Sequence, residues 1–316
     1  MKKEYIIKIL LSAFITISGL VCVDWLVGIG ATFLLRELGK KNYSGEAAMT
    51  NYNLNFVEPD VVIIGSSTAM CHYVPSILHD SILSYTGKDL FVHNAGVSFQ
   101  RMPYNYCEMK SLVARKAPKI AIVDVFPDCL GGESLKAALS PLHPYVRINP
   151  YVKEIMDNDE SERTKILLNS NLYCYNGELI KLLASFRNTV GCDGYYPKNV
   201  SLTTMPEGGV LCDNNDLNPT AVREFEGLIQ CAKTNDVVLI ITMSPYLSSQ
   251  RDTTSASYKK IVSLCNHLNV PLLDYSDDTR FQDYHLFFDN RHMNDKGARL
   301  YTSILSEEIK KYINIK

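Results

Sequence analysis

Two short motifs at opposite ends of the chain have residue types and spacing that can do chemistry. The first is Gly65-Ser66-Ser67-Thr68, which directly follows the β-rich run Asp60-Val61-Val62-Ile63-Ile64. Glycine permits a tight turn out of a strand, and a serine that opens the next helix has backbone N–H groups nearby that suit an oxyanion. The second is Phe287-Phe288-Asp289-Asn290-Arg291-His292, which precedes an amphipathic stretch. An aspartate at i−3 in a loop can reach the histidine Nδ1, hold its tautomer and stabilise its imidazolium, as a general base for a serine nucleophile requires. Either motif alone is ordinary, because serines often cap helices and Asn294 or Asp295 would cap a helix in any case. Together in one α/β chain, a serine after the first strand and an Asp-x-x-His before the last helix form a much more specific signal than either alone.

These residues need a scaffold that brings a strand end near residue 65 to a loop near residue 290. From Glu58 onward, short β-rich runs alternate with longer amphipathic stretches, a pattern that predicts a parallel sheet covered by helices. The predicted strands are 60–64, 89–93, 120–125, 236–242 and 270–274, and helices fit 104–116, 219–233, 255–268 and 295–313. This predicts a three-layer α/β/α sandwich on a five-stranded parallel sheet. Ligands of such sheets sit outside the carboxyl ends of the strands, where Ser67 falls. Residues 131–218 break the rhythm with Gly-Gly pairs, prolines, tyrosine-rich patches and a helix over 177–186, and read as an insertion between strands three and four.

Ahead of this domain, 19 of the 27 residues from Ile9 to Leu35 are apolar. About 20 such residues cross a bilayer as a helix. Lys2, Lys3 and Lys8 precede the run, so the positive-inside rule predicts a cytoplasmic tail over 1–8, a transmembrane signal anchor over 9–35, a linker over 36–57 and an extracytoplasmic domain over 58–316. A cleaved signal peptide is the competing reading, with a shorter apolar core than this run has. Asp24 beside Trp25 is placed at the head-group level, the alternative being a role within the membrane. The formal charge of −2 argues against a polyanion-binding surface and so against nucleic acid, and 46% hydrophobic with 21% charged residues excludes disorder.

At this point the sequence resembles the SGNH or GDSL-type hydrolase superfamily, in its membrane-anchored bacterial cell-envelope branch. The similarity extends over 58–315 apart from the insertion, and it implies a flavodoxin-like α/β domain preceded by one transmembrane helix. The family's first block is Gly-Asp-Ser after strand one, which Gly65-Ser66-Ser67 matches with Ser66 in place of the aspartate. Its last block is Asp-x-x-His, matched by Asp289 and His292. The resemblance thus implies acyl transfer with Ser67 as nucleophile, His292 as general base and Asp289 as its orienting acid, or Ser66 as nucleophile if the register slips by one. The family also places an oxyanion-hole glycine after strand two, so the resemblance implies main-chain donors among Ser67, Gly96 and Ser98. Two departures stand out. Phe99 occupies the position of a family glycine, and Asp124-Val125-Phe126-Pro127-Asp128 lacks the side-chain donor Asn of the third block. Losing one such donor costs about 10²–10³ in rate. The α/β-hydrolase elbow is nearly matched by Gly65 to Ala69, but that elbow follows several strands and its acid lies well upstream of the histidine.

The resemblance and the anchor together imply an extracytoplasmic serine esterase or O-acyltransferase of the cytoplasmic membrane, acting on acyl, chiefly acetyl, esters of a cell-envelope glycan. No cofactor or metal is implied. The expected partners are the membrane, an acylated glycan and a membrane-bound O-acyltransferase. The departures support an alternative: a weak or inactive protein of the same fold that binds a glycan or such an acyltransferase. Among other residues, His72 and His79 stand seven apart without a carboxylate cluster, Arg101 can meet an anion, and His285 precedes the last block. Tyr145, Tyr151, Tyr173, Tyr175, Tyr195 and Tyr196 gather in the insertion, for packing or for stacking on sugars. Of nine cysteines, none in a C-x-x-C pair, Cys192 and Cys212 form the expected disulfide, with Cys71, Cys231 and Cys265 as buried thiols.

Overall fold

The computed structural model describes residues 2–41, 45–132, 139–185, 193–206, 216–247 and 255–313. Five strands, β1 (Val61–Ile64), β2 (Val92–Asn94), β3 (Ile120–Asp124), β4 (Val238–Met243) and β5 (Leu272–Asp274), form one parallel sheet in the order β2-β1-β3-β4-β5. Val61 pairs with Val92 on one side and Ile120 on the other, and Ile120 pairs in turn with Val238. This is the doubly wound order of flavodoxin-like sheets, whose direction of winding reverses beside β1.

The strands read as unbroken apolar runs because both faces of the sheet are covered. Val62, Ile64, Ala121, Val123 and Ile241 face a core shared with α5 (Met102–Lys116), α10 (Pro219–Thr234) and α11 (Ala256–His267), through Met109, Phe225, Leu228 and Ile261. Their neighbours Val61, Ile63, Ile120, Ile122 and Ile240 face the opposite core, with Leu78 and Ile82 of α4 (Pro75–Thr86) and Tyr301, Leu305 and Ile309 of α12 (Asp295–Ile309). The expected three-layer arrangement is therefore present.

The segment ahead of β1 departs from the expected boundaries. A single helix, α1 (Lys2–Leu38), is the one helix among the described residues long and apolar enough to cross a membrane. Its apolar side chains from Tyr5 to Val23 are exposed, but farther along Ala31 and Leu35 are buried against the domain. The segment expected to be a linker is instead occupied by α2 (Glu46–Asn55), which buries Ala48, Met49 and Leu54 and also Thr50, Asn51 and Asn53. Polar residues on its inner face hide the helix in the sequence, and both asparagines have partners that explain their burial. Asn51 donates to the Leu35 carbonyl at 2.8 Å, Asn53 donates to the Ala95 carbonyl at 2.8 Å, and Arg115 donates to the Leu54 and Val57 carbonyls.

The insertion is tied at its ends, where Gly131 bridges Leu217 and the Asn218 amide donates to the Leu130 carbonyl at 2.9 Å. It contributes a 3₁₀ turn (Ser140–Tyr145) and the helices α6 (Pro150–Asp159), α7 (Glu162–Leu167), α8 (Asn171–Cys174) and α9 (Glu178–Ser185). Leu142, Tyr145, Val152 and Ile155 share a third core with Leu35, Met49 and Leu54, so the insertion packs on the end of α1 and on α2. Asp24 of α1 receives four hydrogen bonds from the start of α8: from the Ser170 hydroxyl at 2.6 Å, the Leu172 amide at 2.9 Å, and the Asn171 side chain and amide at 3.0 and 3.1 Å. Cys71 and Cys265 are buried thiols and Cys231 is partly buried. The expected Cys192–Cys212 pairing lies outside the described residues.

Candidate active site

β1 ends at Ile64, and Gly65 carries the chain into α3 (Ser67–His72) past the end of β3. A Cβ at Gly65 would stand 2.8 Å from both the Asp124 carbonyl oxygen and the Ala69 methyl. Only glycine lets the turn close there, and the turn puts Ser67 at the first position of the helix with Ser66 before it. At the other end of the chain, the loop before α12 folds back on itself: Phe287 bridges Met293, and the Phe288 amide donates to the His292 carbonyl at 2.7 Å. Asn294 caps α12 through the Gly297 amide.

The two segments meet at one point. The Ser67 hydroxyl lies 2.7 Å from His292 Nε2, and His292 Nδ1 lies 2.8 Å from Asp289 Oδ2 and 3.0 Å from Oδ1. Burial pushes the Asp289 carboxyl up, but hydrogen bonds from the His292 ring and from the Arg291 and His292 amides outweigh it and hold the group at about 2. An ionised carboxylate only accepts, so Nδ1 carries the ring proton and Nε2 is left to accept the Ser67 hydroxyl. Ser66 makes no bond to His292; it stands at the N-cap position of α3 without a side-chain cap bond, and its carbonyl accepts from the Met70 amide.

The serine opens into a cavity of about 490 Å³. Ser98, Phe99, Gln100 and Arg101 from the loop after β2 line it, with Phe126 and Asp128 after β3, Tyr246 after β4, Lys198, Arg291 and His292. The Arg101 guanidinium lies over the Phe126 ring at 5.3 Å, and the Lys198 ammonium over the Tyr196 and Phe288 rings at 5.0 and 5.2 Å. Of the expected main-chain donors, Ser67 and Ser98 belong to the lining and Gly96 does not. The Gly96 amide donates to the Asn94 side chain at 3.0 Å, and a Cβ there would meet the Met70 nitrogen at 2.4 Å. Gly96 therefore serves the close approach of this loop to α3. Among the described residues of the lining Asn is absent and Gln100 is the one carboxamide; that side chain is buried and its Oε1 has no hydrogen-bond partner.

A second set of residues supports the first. His72, at the end of α3, is fully buried; its Nε2 accepts the Met293 amide at 2.9 Å and its Nδ1 lies 3.0 Å from the Ser244 hydroxyl. Since Nε2 accepts, Nδ1 carries the proton and donates to Ser244. Ser244 in turn lies 3.3 Å from Asp124 Oδ2, and Asp124 also accepts from Thr68 at 2.5 Å, Tyr73 at 2.6 Å and the Ser244 amide at 3.1 Å. A buried chain thus runs from the end of β3 to the residue next to His292, with the His72 and His292 rings edge to face at 6.5 Å. Nothing in the sequence reading pointed to His72 or Ser244 in this role. The available signal was position, because Asp124 and Ser244 both fall at carboxyl ends of strands.

The remaining candidates scatter. His79 pairs with Asp80 and Asp89 on the surface of α4, far from the partners of His72. His285 is exposed and pairs with Asp283. In the tyrosine cluster, Tyr145 and Tyr175 are buried, Tyr195 donates to Asp295 at 2.8 Å, and Tyr173 lines a cavity described below.

No protein-family model and no curated protein sequence matches the chain. Some solved structures do. A protein described as lipolytic and of the G-D-S-L family, from Desulfitobacterium hafniense DCB-2, aligns over 80% of this chain and 98% of its own at 12% identity and a TM-score of 0.40. The lipase/acylhydrolase from Enterococcus faecalis aligns over 81% of this chain and 97% of its own at 13% identity and a TM-score of 0.42. A two-domain esterase active on acetylated mannans aligns over 80% of this chain at 10% identity and a TM-score of 0.44, and this chain spans about half its length, 49%. At such identities and TM-scores these likenesses do not bear on the activity.

Proposed function

We propose that the chain is a membrane-anchored serine ester hydrolase or O-acyltransferase of the SGNH type, acting outside the cytoplasm on acyl esters, chiefly acetyl, of a cell-envelope glycan. The observation that carries the reading is the unbroken alignment of Ser67, His292 and Asp289 at 2.7 and 2.8 Å on the wall of a cavity. In this mechanism the Ser67 oxygen attacks the acyl carbonyl while His292 Nε2 takes its proton, and Asp289 stabilises the imidazolium. The Ser67 and Ser98 amides and the Gln100 side chain are the donors available to the oxyanion, with Gln100 standing in for the missing Asn. His292 returns the proton to the leaving hydroxyl. Water or a sugar hydroxyl, deprotonated by the same histidine, then resolves the acyl-enzyme.

A second reading, a non-catalytic binding protein on the same scaffold, draws on the use of the Gly96 amide elsewhere and on the absence of Asn from the cavity wall. A fluorophosphonate probe separates the two when applied to the full chain in detergent, because Ala31 and Leu35 of α1 belong to the domain core. Labelling of the wild type, with loss in Ser67→Ala and His292→Ala, is the expected result. A wild type that neither labels nor cleaves 4-nitrophenyl acetate would leave the binding reading standing alone.

A further inference from the structure

A second cavity, of about 700 Å³, adjoins the first; the two share Ser98, Phe99 and Gln100. The insertion supplies one side of it, including His143, Tyr173, Asn176 and Lys181, and the start of α2 supplies the other. Among the described residues its lining holds no Leu, Ile, Val or Met and only Ala47, Pro141 and Ala184 as aliphatic groups, a poor wall for an acyl chain that must leave water. Hydroxyl, carboxamide, imidazole and ammonium groups stand beside aromatic rings instead. The Tyr173 ring lies against the His143 ring at 5.9 Å and 32°, and His143 is held by Glu160 at 2.9 Å. Such a wall suits a ligand with many hydroxyls and flat apolar faces.

The boundary between the cavities supports the same assignment. Phe99 has φ 61°, a left-handed backbone that glycine takes freely and a bulky side chain takes only with strain, yet its ring is 82% exposed. Neither backbone nor packing accounts for an aromatic residue there. A ring held out at the junction does what stacking on a sugar face requires.

We infer that the second cavity is a subsite for the neighbouring sugar units of an oligosaccharide whose ester-bearing unit lies at Ser67, with Phe99 and Tyr173 as stacking surfaces. The inference rests on the esterase reading and names its substrate as a chain of several units. The test uses the full protein in detergent and O-acetylated monomers and tetramers of glucose, mannose, xylose and N-acetylglucosamine. For at least one sugar, kcat/KM is expected to be about tenfold higher for the tetramer than for the monomer. Tyr173→Ala should shrink that ratio by about three- to tenfold, the size of a lost aromatic contact. Phe99→Gly should shrink it likewise while raising the melting temperature, because glycine relieves the backbone. Equal kcat/KM for tetramers and monomers of all four sugars, or a ratio unchanged in both variants, would overturn the subsite with the esterase reading intact. Failure to cleave 4-nitrophenyl acetate, any monomer or any tetramer would remove the esterase reading and the subsite together.

Discussion

The Nε2 of His72 accepts the amide of Met293 at 2.9 Å, which ties the residue beside His292 to the helix that opens with Ser67. His72 does not line the serine cavity, so its effect on the reaction would pass through position.

Replacing His72 with Phe leaves a buried amide without an acceptor, at a cost of about 1–3 kcal/mol. Spread into the placement of His292, this lowers kcat by about ten- to hundredfold with KM for 4-nitrophenyl acetate unchanged. His72→Gln, which keeps an acceptor, should recover part of the loss. Steady-state kinetics on the three proteins measure this, and an unchanged kcat in His72→Phe would show that the tie is only structural.

The same chain predicts how stability varies with pH. Burial, helped by the charge of His292, pushes His72 down to about 3. Burial pushes Asp124 up to about 6, against hydrogen bonds from Thr68, Tyr73 and Ser244. The folded value of His72 lies below the unfolded ~6.5, so its stabilisation is present above pH 6.5 and lost as pH falls. The folded value of Asp124 lies above the unfolded ~3.9, so its contribution is present below pH 4 and lost as pH rises through 6. Between pH 4 and 6 the two slopes oppose each other at up to ~1.4 kcal/mol per pH unit. His72→Gln should therefore lose stability from pH 4 to 6 and Asp124→Asn should gain it. Urea unfolding at pH 4, 5 and 6 measures both, and slopes of one sign in the two variants would contradict the arrangement.

Gln100 offers the one carboxamide among the described residues of the cavity wall. Gln100→Leu keeps the bulk and removes the donor, so kcat on 4-nitrophenyl acetate should fall by about 10²–10³ with little change in KM. A rate within threefold of the wild type would place the oxyanion on main-chain amides alone.

Removing the Asp24 carboxylate takes away the acceptor of the four bonds that seat residues 170–172. Asp24→Ala should speed amide exchange at Asn171 and Leu172 while rates at β3 stay as they are, because local opening is separable from global unfolding. Mass-spectrometric hydrogen exchange on the full chain reads this directly.

The sheet was legible in the sequence because its strands are buried on both faces and so appear as runs of Val and Ile. The pair Asp289 and His292 was legible because the contact is local, three residues apart in one loop. The rest depends on distance along the chain or on polar burial. Ser244 lies 172 residues and Met293 221 residues from His72, so no local pattern could join them. The helix α2 was taken for a linker because Asn51 and Asn53 occupy its inner face, where periodicity expects apolar residues. Gly96 is an oxyanion candidate only through the resemblance to a family with a glycine after strand two, and the structure gives its amide to Asn94 and its missing side chain to packing.

Because residues 170–172 are fastened to Asp24 on α1, the serine cavity would stand at one fixed altitude above a bilayer that holds α1. A domain on a slack leash samples a volume, and its effective concentration falls as the leash lengthens. One bolted to its own span would move only as that span drifts laterally, always presenting the same side away from the bilayer. Its reach would then be a thin sheet parallel to the membrane, and a ligand beyond that height would escape it however abundant it is.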